Sequence, residues 1–238
     1  MLNTRFMYPN YYTDQILQRY GFPANNSVSV DINKFNDLID ELSHVFESPK
    51  QFNAAVFQNF PIEFIVDYIR RTHRLYLFTK LPEIEQSIHL LLQDYSDEHP
   101  LLTILMDFYS SYKIELSLHI CEEEQHLLPY VDFLLEMHKK GINAYQFFKN
   151  NKRFSLDEFE NDHHDDSGKN LTHIQETILA HDPPYTNITP YRILLSQLQN
   201  LERDLCIHGL IEDRVLVPRI KMVESELLTD YRKIFRAN

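Results

Sequence analysis

The chain has 238 residues, which is enough for one large domain, or for a domain with a small appendage, to bury a core without disulfide support. Its formal net charge of −12 disfavours nucleic acid and anionic membrane surfaces as partners. It contains only four glycines and two cysteines, which disfavours a nucleotide-binding α/β fold, a disulfide framework and a thiolate metal site. No apolar run approaches the roughly 18 residues of a membrane span, so we expect a cytoplasmic protein.

The first 58 residues are interpreted as a small helical N-terminal region. A short helix is predicted around Asp14–Tyr20 and a second from Asp31 to about Glu47, because turn residues flank both patterns. We therefore expect a domain boundary after this region, with residues 59–238 forming the main domain.

From Pro61 onward, four long amphipathic helical patterns follow, separated by segments rich in Gly, Pro, Asn and Asp. They predict an all-α protein with a four-helix bundle. The inward stripes of the second and fourth helices contain ionisable side chains, which are costly to bury without a partner. In the second helix the predicted stripe is Leu101, Leu105, Phe108, Tyr112, Glu115, His119 and Glu123. In the fourth it is Leu194, Leu198, Leu201, Leu205, His208, Glu212 and Val215.

The two stripes carry the same motif. His119 and His208 are each followed four residues later by a glutamate, Glu123 or Glu212, and then by a proline six residues further on. Residues four apart lie on one helix face, so each His–Glu pair is expected to point at the same place in the core. Two copies at matching phase are stronger evidence for a site than a lone pair. The rest of the acidic run Glu122–Glu124 is interpreted as a solvated face.

Each motif also has an upstream histidine at a similar distance. His73 lies 46 residues before His119, and His164 lies 44 residues before His208. This is the pattern of a duplicated helical hairpin, and its halves together supply four imidazoles and two carboxylates. Such a donor set favours a dinuclear site for iron or manganese over a structural zinc site. If both glutamates and an oxo or hydroxo group bridge, each metal keeps one open position for dioxygen or nitric oxide.

Two further acids precede the motif histidines by one turn, Glu115 and Asp204. They are candidates for side chains that orient the histidines or lead protons and ions to the metals. The alternative is that both are salt-bridged or solvent-reaching acids at one end of the bundle.

Two other histidines are alternative ligands. His126 lies one turn beyond Glu123, but its counterpart in the fourth helix is Val215. His163 precedes His164, although the phase of the following helix favours His164.

The stretch from Ile65 to Lys221 resembles hemerythrin-like domains, and specifically the di-iron proteins of the repair-of-iron-centres family. The matching motifs are LSLHICEEEQHLLP (Leu116–Pro129), HHDDSG (His163–Gly168) and DLCIHGLIEDRVLVPR (Asp204–Arg219). The resemblance implies a hemerythrin-like four-helix bundle that holds two iron ions. The iron ligands that it implies are His119, Glu123, His164, His208 and Glu212.

The first ligand departs from the family pattern. When the Leu81–Pro82 pair is aligned with the family, the usual histidine position falls on Arg74. Its neighbour His73 shares a helix face with Ile65 and Ile69, so periodicity predicts that His73 faces the core. We therefore take His73 as the sixth ligand.

The resemblance implies a function in oxidative or nitrosative stress defence, by donating iron to damaged iron–sulfur proteins or repairing their centres. Ala24, Asn25 and Asn26 stand where the family has two adjacent cysteines, so any chemistry of those thiols is absent. This departure favours, as an alternative, a sensor or carrier of dioxygen or nitric oxide. A third hypothesis is a metal-free helical interaction module, and the sequence leaves open whether the chain is an enzyme.

Overall fold

The computed structural model describes residues 11–21, 32–93, 100–141, 156, 159, 167–181 and 188–236. These residues form an all-α helical bundle, with no β-strand in the described ranges. The helices are α1 (Tyr11–Gln18), α2 (Ile32–Glu47), α3 (Ala54–Phe57), α4 (Ile62–Leu75), α5 (Leu81–Leu92), α6 (Pro100–Glu122), α7 (Leu128–Lys140), α8 (Ser167–Leu179), α9 (Thr189–Ile211) and α10 (Val217–Arg236). Within this part of the chain, no helix combines the length and the hydropathy that a membrane crossing requires.

Three π-helical turns join pairs of these helices into longer, continuous ones. Tyr76–Lys80 joins α4 to α5, Glu123–Leu127 joins α6 to α7, and Glu212–Leu216 joins α9 to α10. Each turn is followed by one residue and then a proline. A proline ring clashes with the carbonyl four residues back in a regular α-helix, and the wider turn accommodates it. The prolines are Pro82, Pro129 and Pro218.

The long helices close into a bundle. Helix α5 packs against α6 and α9, and α8 packs against both α6 and α9. Beyond the π turns, α7 packs against α10. These contacts confirm the prediction of an all-α helical bundle.

The N-terminal helices pack on this bundle. Helix α2 contacts α1 and α9, and the 3₁₀ turn Arg19–Gly21 that follows α1 contacts α4. Ile16 and Leu38 lie in the same buried cluster as Ile211 of α9. The predicted domain boundary after residue 58 stays a prediction.

Among the residues that the structure describes, the core consists of two hydrophobic clusters. One combines residues of α1, α2, α4, α7 and the start of α10, and the other combines residues of α5, α6, α8 and most of α9. Along α4 and the π turn that follows it, Ile69 belongs to the first cluster and Tyr76 to the second, with the buried His73 between them. His208 holds the same place in α9. The buried ionisable residues thus lie where the two clusters meet.

The predicted stripe of the fourth helix is confirmed, since all of its members are buried. The predicted stripe of the second helix is wrong in part, because Phe108 and Glu115 are exposed and Tyr109 and Leu116 face the core instead. Helix α6 also carries exposed apolar residues such as Leu118, so hydrophobic periodicity alone does not fix which face is buried.

Candidate metal centre

The carboxylate of Glu123 lies at the centre of a group of imidazoles. Its side chain is fully buried, and its Oε2 lies 2.7 Å from Nε2 of His73 and 3.9 Å from Nε2 of His208. Its other oxygen, Oε1, lies 2.8 Å from Nε2 of His119. The two carboxylate oxygens therefore face different imidazoles, which is the arrangement that a bridging carboxylate needs.

The two buried imidazoles face each other across this carboxylate. The Nε2 atoms of His73 and His208 are 3.3 Å apart, and Oε2 of Glu212 lies 3.4 Å from Nε2 of His208. One donor atom from each of His73, Glu123 and His208 falls within 4.8 Å of the others. Ligands at about 2.0–2.2 Å from one ion lie about 3 Å from each other. The nitrogen and oxygen donors of this trio therefore fit a transition-metal ion.

The pKa values of the two buried imidazoles shift in opposite directions. Burial lowers the pKa of His73, but hydrogen bonds to Glu123 and Glu124 outweigh burial and raise this pKa to about 9. Burial lowers the pKa of His208, and the neighbouring His73 acts in the same direction against the hydrogen bond to Glu123. A cation bound beside Glu123 would replace the proton that the two carboxylates favour on His73.

Glu124 orients His73. The Nδ1–H of His73 donates to Oε1 of Glu124 at 2.7 Å, which turns Nε2 toward Glu123. A carboxylate on the far nitrogen of a ligating imidazole fixes its ring and tautomer. The interpretation of the flanking acids as a solvated face is confirmed for Glu122, which is exposed, and is incomplete for Glu124, whose side chain is 37% exposed and also contacts His73. The π turn that begins at Glu123 has a sequence signal, which is Pro129 inside a helical pattern.

The structure brings together His73, His119, Glu123, His208 and Glu212, five of the six residues proposed as ligands. His164 and the alternative His163 lie outside the described residues. The assignment of metal ligands stays a prediction.

Arg74 occupies the position where the resemblance places the first ligand, and it is half-buried. Its neighbour His73 is the residue that contacts Glu123. His126 is exposed. The two cysteines are exposed free thiols. The predicted orienting role of Glu115 stays a prediction, and this residue is exposed.

Asp204 is buried and belongs to a polar network beside the site. It forms an ion pair with Arg19, and it accepts a hydrogen bond of 2.9 Å from the hydroxyl of Tyr76. The ring of Tyr76 packs edge-on against His208, with centroids 5.9 Å apart.

The sequence patterns did not indicate a role at the site for Arg19 or Tyr76. A signal existed for Tyr76, which precedes Pro82 by the same six residues that separate each motif glutamate from its proline.

Comparison with known proteins adds one similarity. No family model matches the sequence. The iron-sulfur cluster repair protein ScdA of two Staphylococcus epidermidis strains, ATCC 35984 and ATCC 12228, is 22% identical to this chain over 198 residues. The alignment covers 83% of this chain and 82% of each relative. The chain is thus similar to iron–sulfur cluster repair proteins along most of its length.

Proposed function

We propose that this chain is a non-haem di-iron protein that repairs damaged iron–sulfur centres by donating iron to them. The observation that carries the proposal is the fully buried carboxylate of Glu123 among the imidazoles of His73, His119 and His208. A buried carboxylate needs a cation, and this donor set suits iron. The similarity to proteins named for iron–sulfur cluster repair supports the choice of process.

We assign the ligands as follows. Glu123 would be shared by the two ions, since its two oxygens face different imidazoles. His73 and His208 would hold one ion, His119 and the predicted His164 would hold the other, and Glu212 would provide the second carboxylate. When bound, iron supplies Lewis-acid and redox chemistry and is itself the cargo for a damaged cluster.

The two sides of the site differ in access. The side chains of His73, Glu123 and His208 are at most 5% exposed, whereas that of His119 is 19% exposed. Exchange of iron with a client protein is therefore proposed to occur past His119. The carboxylate of Glu124 keeps Nε2 of His73 aimed inward during this exchange, because it holds the opposite ring nitrogen.

Metal analysis of iron-supplemented protein tests the proposed centre. We expect about two irons per chain, as in di-iron bundles. The variant His73→Ala is expected to lose at least one equivalent, whereas the matched neighbour variant Arg74→Ala keeps both. If Arg74→Ala lost metal and His73→Ala did not, the assignment of His73 as a ligand would be wrong. Colourless, metal-free wild-type protein would favour the metal-free interaction module.

A mixed assay tests repair separately from metal binding. An iron–sulfur enzyme inactivated by peroxide or nitric oxide is incubated with the iron-loaded chain, and recovery of its activity is followed. We expect recovery with the wild-type chain and none with metal-free Glu123→Ala at the same protein concentration. If the iron-loaded protein restores no more enzyme activity than free iron does, the repair function is contradicted. The alternative of a sensor or carrier would then be favoured.

A further inference from the structure

We infer that Arg19 is a positioning residue of the metal centre, so that docking of the N-terminal helix onto the bundle completes the geometry of the site. The inference rests on the proposed function, because it concerns the ligands assigned there. It gives the segment that precedes the long helices a direct part in metal binding.

The guanidinium of Arg19 is enclosed by the protein, with 0% of the residue exposed. Its Nε donates to Oγ1 of Thr72 at 2.9 Å, one terminal nitrogen donates to the carbonyl of Gln15 at 2.8 Å, and the other pairs with Asp204. It also lies over the rings of Phe46 and Tyr68, 5.3 and 5.4 Å from their centroids. The position of this side chain is thus fixed on every side by α1, α2, α4 and α9.

The partners of Arg19 lie next to the proposed ligands. Thr72 directly precedes His73, and Asp204 lies one helical turn before His208. Asp204 also accepts the hydroxyl hydrogen bond of Tyr76, whose ring packs against His208. Arg19 therefore holds Asp204, Asp204 holds the Tyr76 hydroxyl, and the Tyr76 ring limits the orientations of His208.

A gain in folding stability does not explain why Arg19 and Asp204 are buried together. A buried ion pair recovers little more than the cost of removing both charges from water, and apolar residues of similar volume often replace it without loss. Removing Arg19 alone, however, leaves the Asp204 carboxylate buried and unpaired one turn from His208. The side chains around it must then rearrange, and Tyr76 and His208 are the nearest to the site. If docking of α1 and metal binding are coupled in this way, each strengthens the other.

The test uses Co²⁺ as a probe, because its visible absorption bands report the geometry of its ligands. Full-length metal-free protein is titrated with Co²⁺, and both the spectrum and the dissociation constant are recorded. The variants are Arg19→Met, which removes the charge, Tyr76→Phe, which removes only the hydroxyl, and the double variant Arg19→Met/Asp204→Asn. The control is Arg70→Gln, because Arg70 pairs with the exposed Asp132 of α7 and this pair does not involve α1.

We expect Arg19→Met to weaken Co²⁺ binding by about tenfold or more and to shift the visible bands, within the usual range of coupling between sites. Tyr76→Phe should shift the bands in the same direction. The double variant should recover the wild-type spectrum, because both charges are gone and the asparagine oxygen still accepts from Tyr76. Arg70→Gln should match the wild type.

A folded Arg19→Met variant with the spectrum and affinity of the wild type would overturn the inference. If Arg19→Met does not fold, the other two variants test the inference. An unshifted Co²⁺ spectrum in Tyr76→Phe would overturn it. A folded double variant whose affinity for Co²⁺ is tenfold or more below that of the wild type would overturn it as well. Wild-type protein that binds no Co²⁺ removes the proposed metal centre and this inference together, whereas normal binding in every variant removes the inference alone.

Discussion

The side chains of His73 and Glu123 lie at the middle of the candidate centre. Both are buried, and Nε2 of His73 lies 2.7 Å from Oε2 of Glu123, within ion-pair distance. Glu124 adds a second carboxylate on the other ring nitrogen, so the raised pKa of His73 has two causes that oppose burial. The same two carboxylates that favour a proton on His73 would favour a bound cation.

This arrangement predicts how the stability of the metal-free protein depends on pH. The pKa of His73 is raised from 6.5 to about 9 on folding, so its contribution to stability is present below pH 6.5 and is lost as the pH rises to about 9. The pKa of His208 is lowered, so His208 stays neutral across this window. Urea unfolding between these two pH values should therefore show a loss of up to about 3 kcal/mol from His73.

The variant Glu124→Gln keeps an acceptor for Nδ1 of His73 but removes the negative charge. The pH dependence of its unfolding free energy should be smaller than that of the wild type over the same window. The control is His138→Gln, because His138 forms an exposed pair with Glu226 away from the site. Equal pH dependence in Glu124→Gln and the wild type would show that Glu124 does not set the charge of His73.

Among the helices, the π turns are the feature that most affects the site. Each begins at a residue that faces the centre or its network, namely Tyr76, Glu123 and Glu212. In each turn the residue before the proline donates its backbone N–H to the carbonyl of that first residue, five positions back. A π turn is one extra residue in an α-helix, and the two carboxylates that contact the imidazole of His73, those of Glu123 and Glu124, both lie in the turn Glu123–Leu127.

We therefore predict the effect of removing one turn. Deletion of the exposed Gln125 together with Pro129→Ala removes the extra residue and its steric cause, so α6 and α7 should continue as one regular helix with their buried residues in phase. Helix content and cooperative unfolding should persist, because the core contacts are kept. Affinity for Co²⁺ should fall at least about tenfold, or about 1.4 kcal/mol, because Glu123 and Glu124 can no longer both reach His73.

The control for this deletion is Pro129→Ala alone, which leaves the extra residue in place and should bind Co²⁺ as the wild type does. A deletion variant with wild-type affinity would show that the π turn has no part in the centre.

Particular helices show how far the sequence predicted this structure. The stripe from Leu194 to Val215 was predicted correctly, because apolar residues occupy one face of α9 and polar residues the other. The same reasoning misplaced Phe108 and Glu115 in α6, where apolar residues lie on several faces. His73 was placed toward the core by periodicity, and it lies there.

The residues that the sequence did not reveal depend on tertiary contacts. From the sequence, Arg19 is expected to be an ordinary surface residue of a short helix. Its contact with Asp204, on a helix distant in sequence, explains why it is buried. The role of Glu124 depends on its contact with His73, which lies 51 positions earlier in the chain. Local patterns thus predicted the paired motifs, and long-range packing determined the groups that support them.

At the scale of the whole molecule, the site lies between the two hydrophobic clusters and draws side chains from α4, α6, α9 and the adjoining π turns. Each of these helices contributes buried ionisable groups where apolar ones would pack more favourably. Domains of this size are stable by only about 5–15 kcal/mol, so a centre of this kind lowers stability noticeably until a cation occupies it. Metal binding is therefore expected to stabilise the entire bundle.

The Tm in the presence and absence of metal measures this coupling. A ligand that binds only the folded state at about 100 times its Kd adds about 2.7 kcal/mol, and for a domain of this size each 1 kcal/mol raises the Tm by roughly 2–4 °C. We expect a saturable rise of that order with Fe²⁺ or Co²⁺ in the wild type and in His138→Ala, whose exposed imidazole lies on α7 outside the site. His208→Ala should show little rise in Tm, because it removes one of the two buried imidazoles beside Glu123.

On metal binding, hydrogen exchange should slow in both hydrophobic clusters, since the centre joins helices that contribute to each. Metal that binds stoichiometrically but leaves the Tm unchanged would mean that the unfolded chain binds it equally well, and the folded arrangement of these helices would then have no part in holding it.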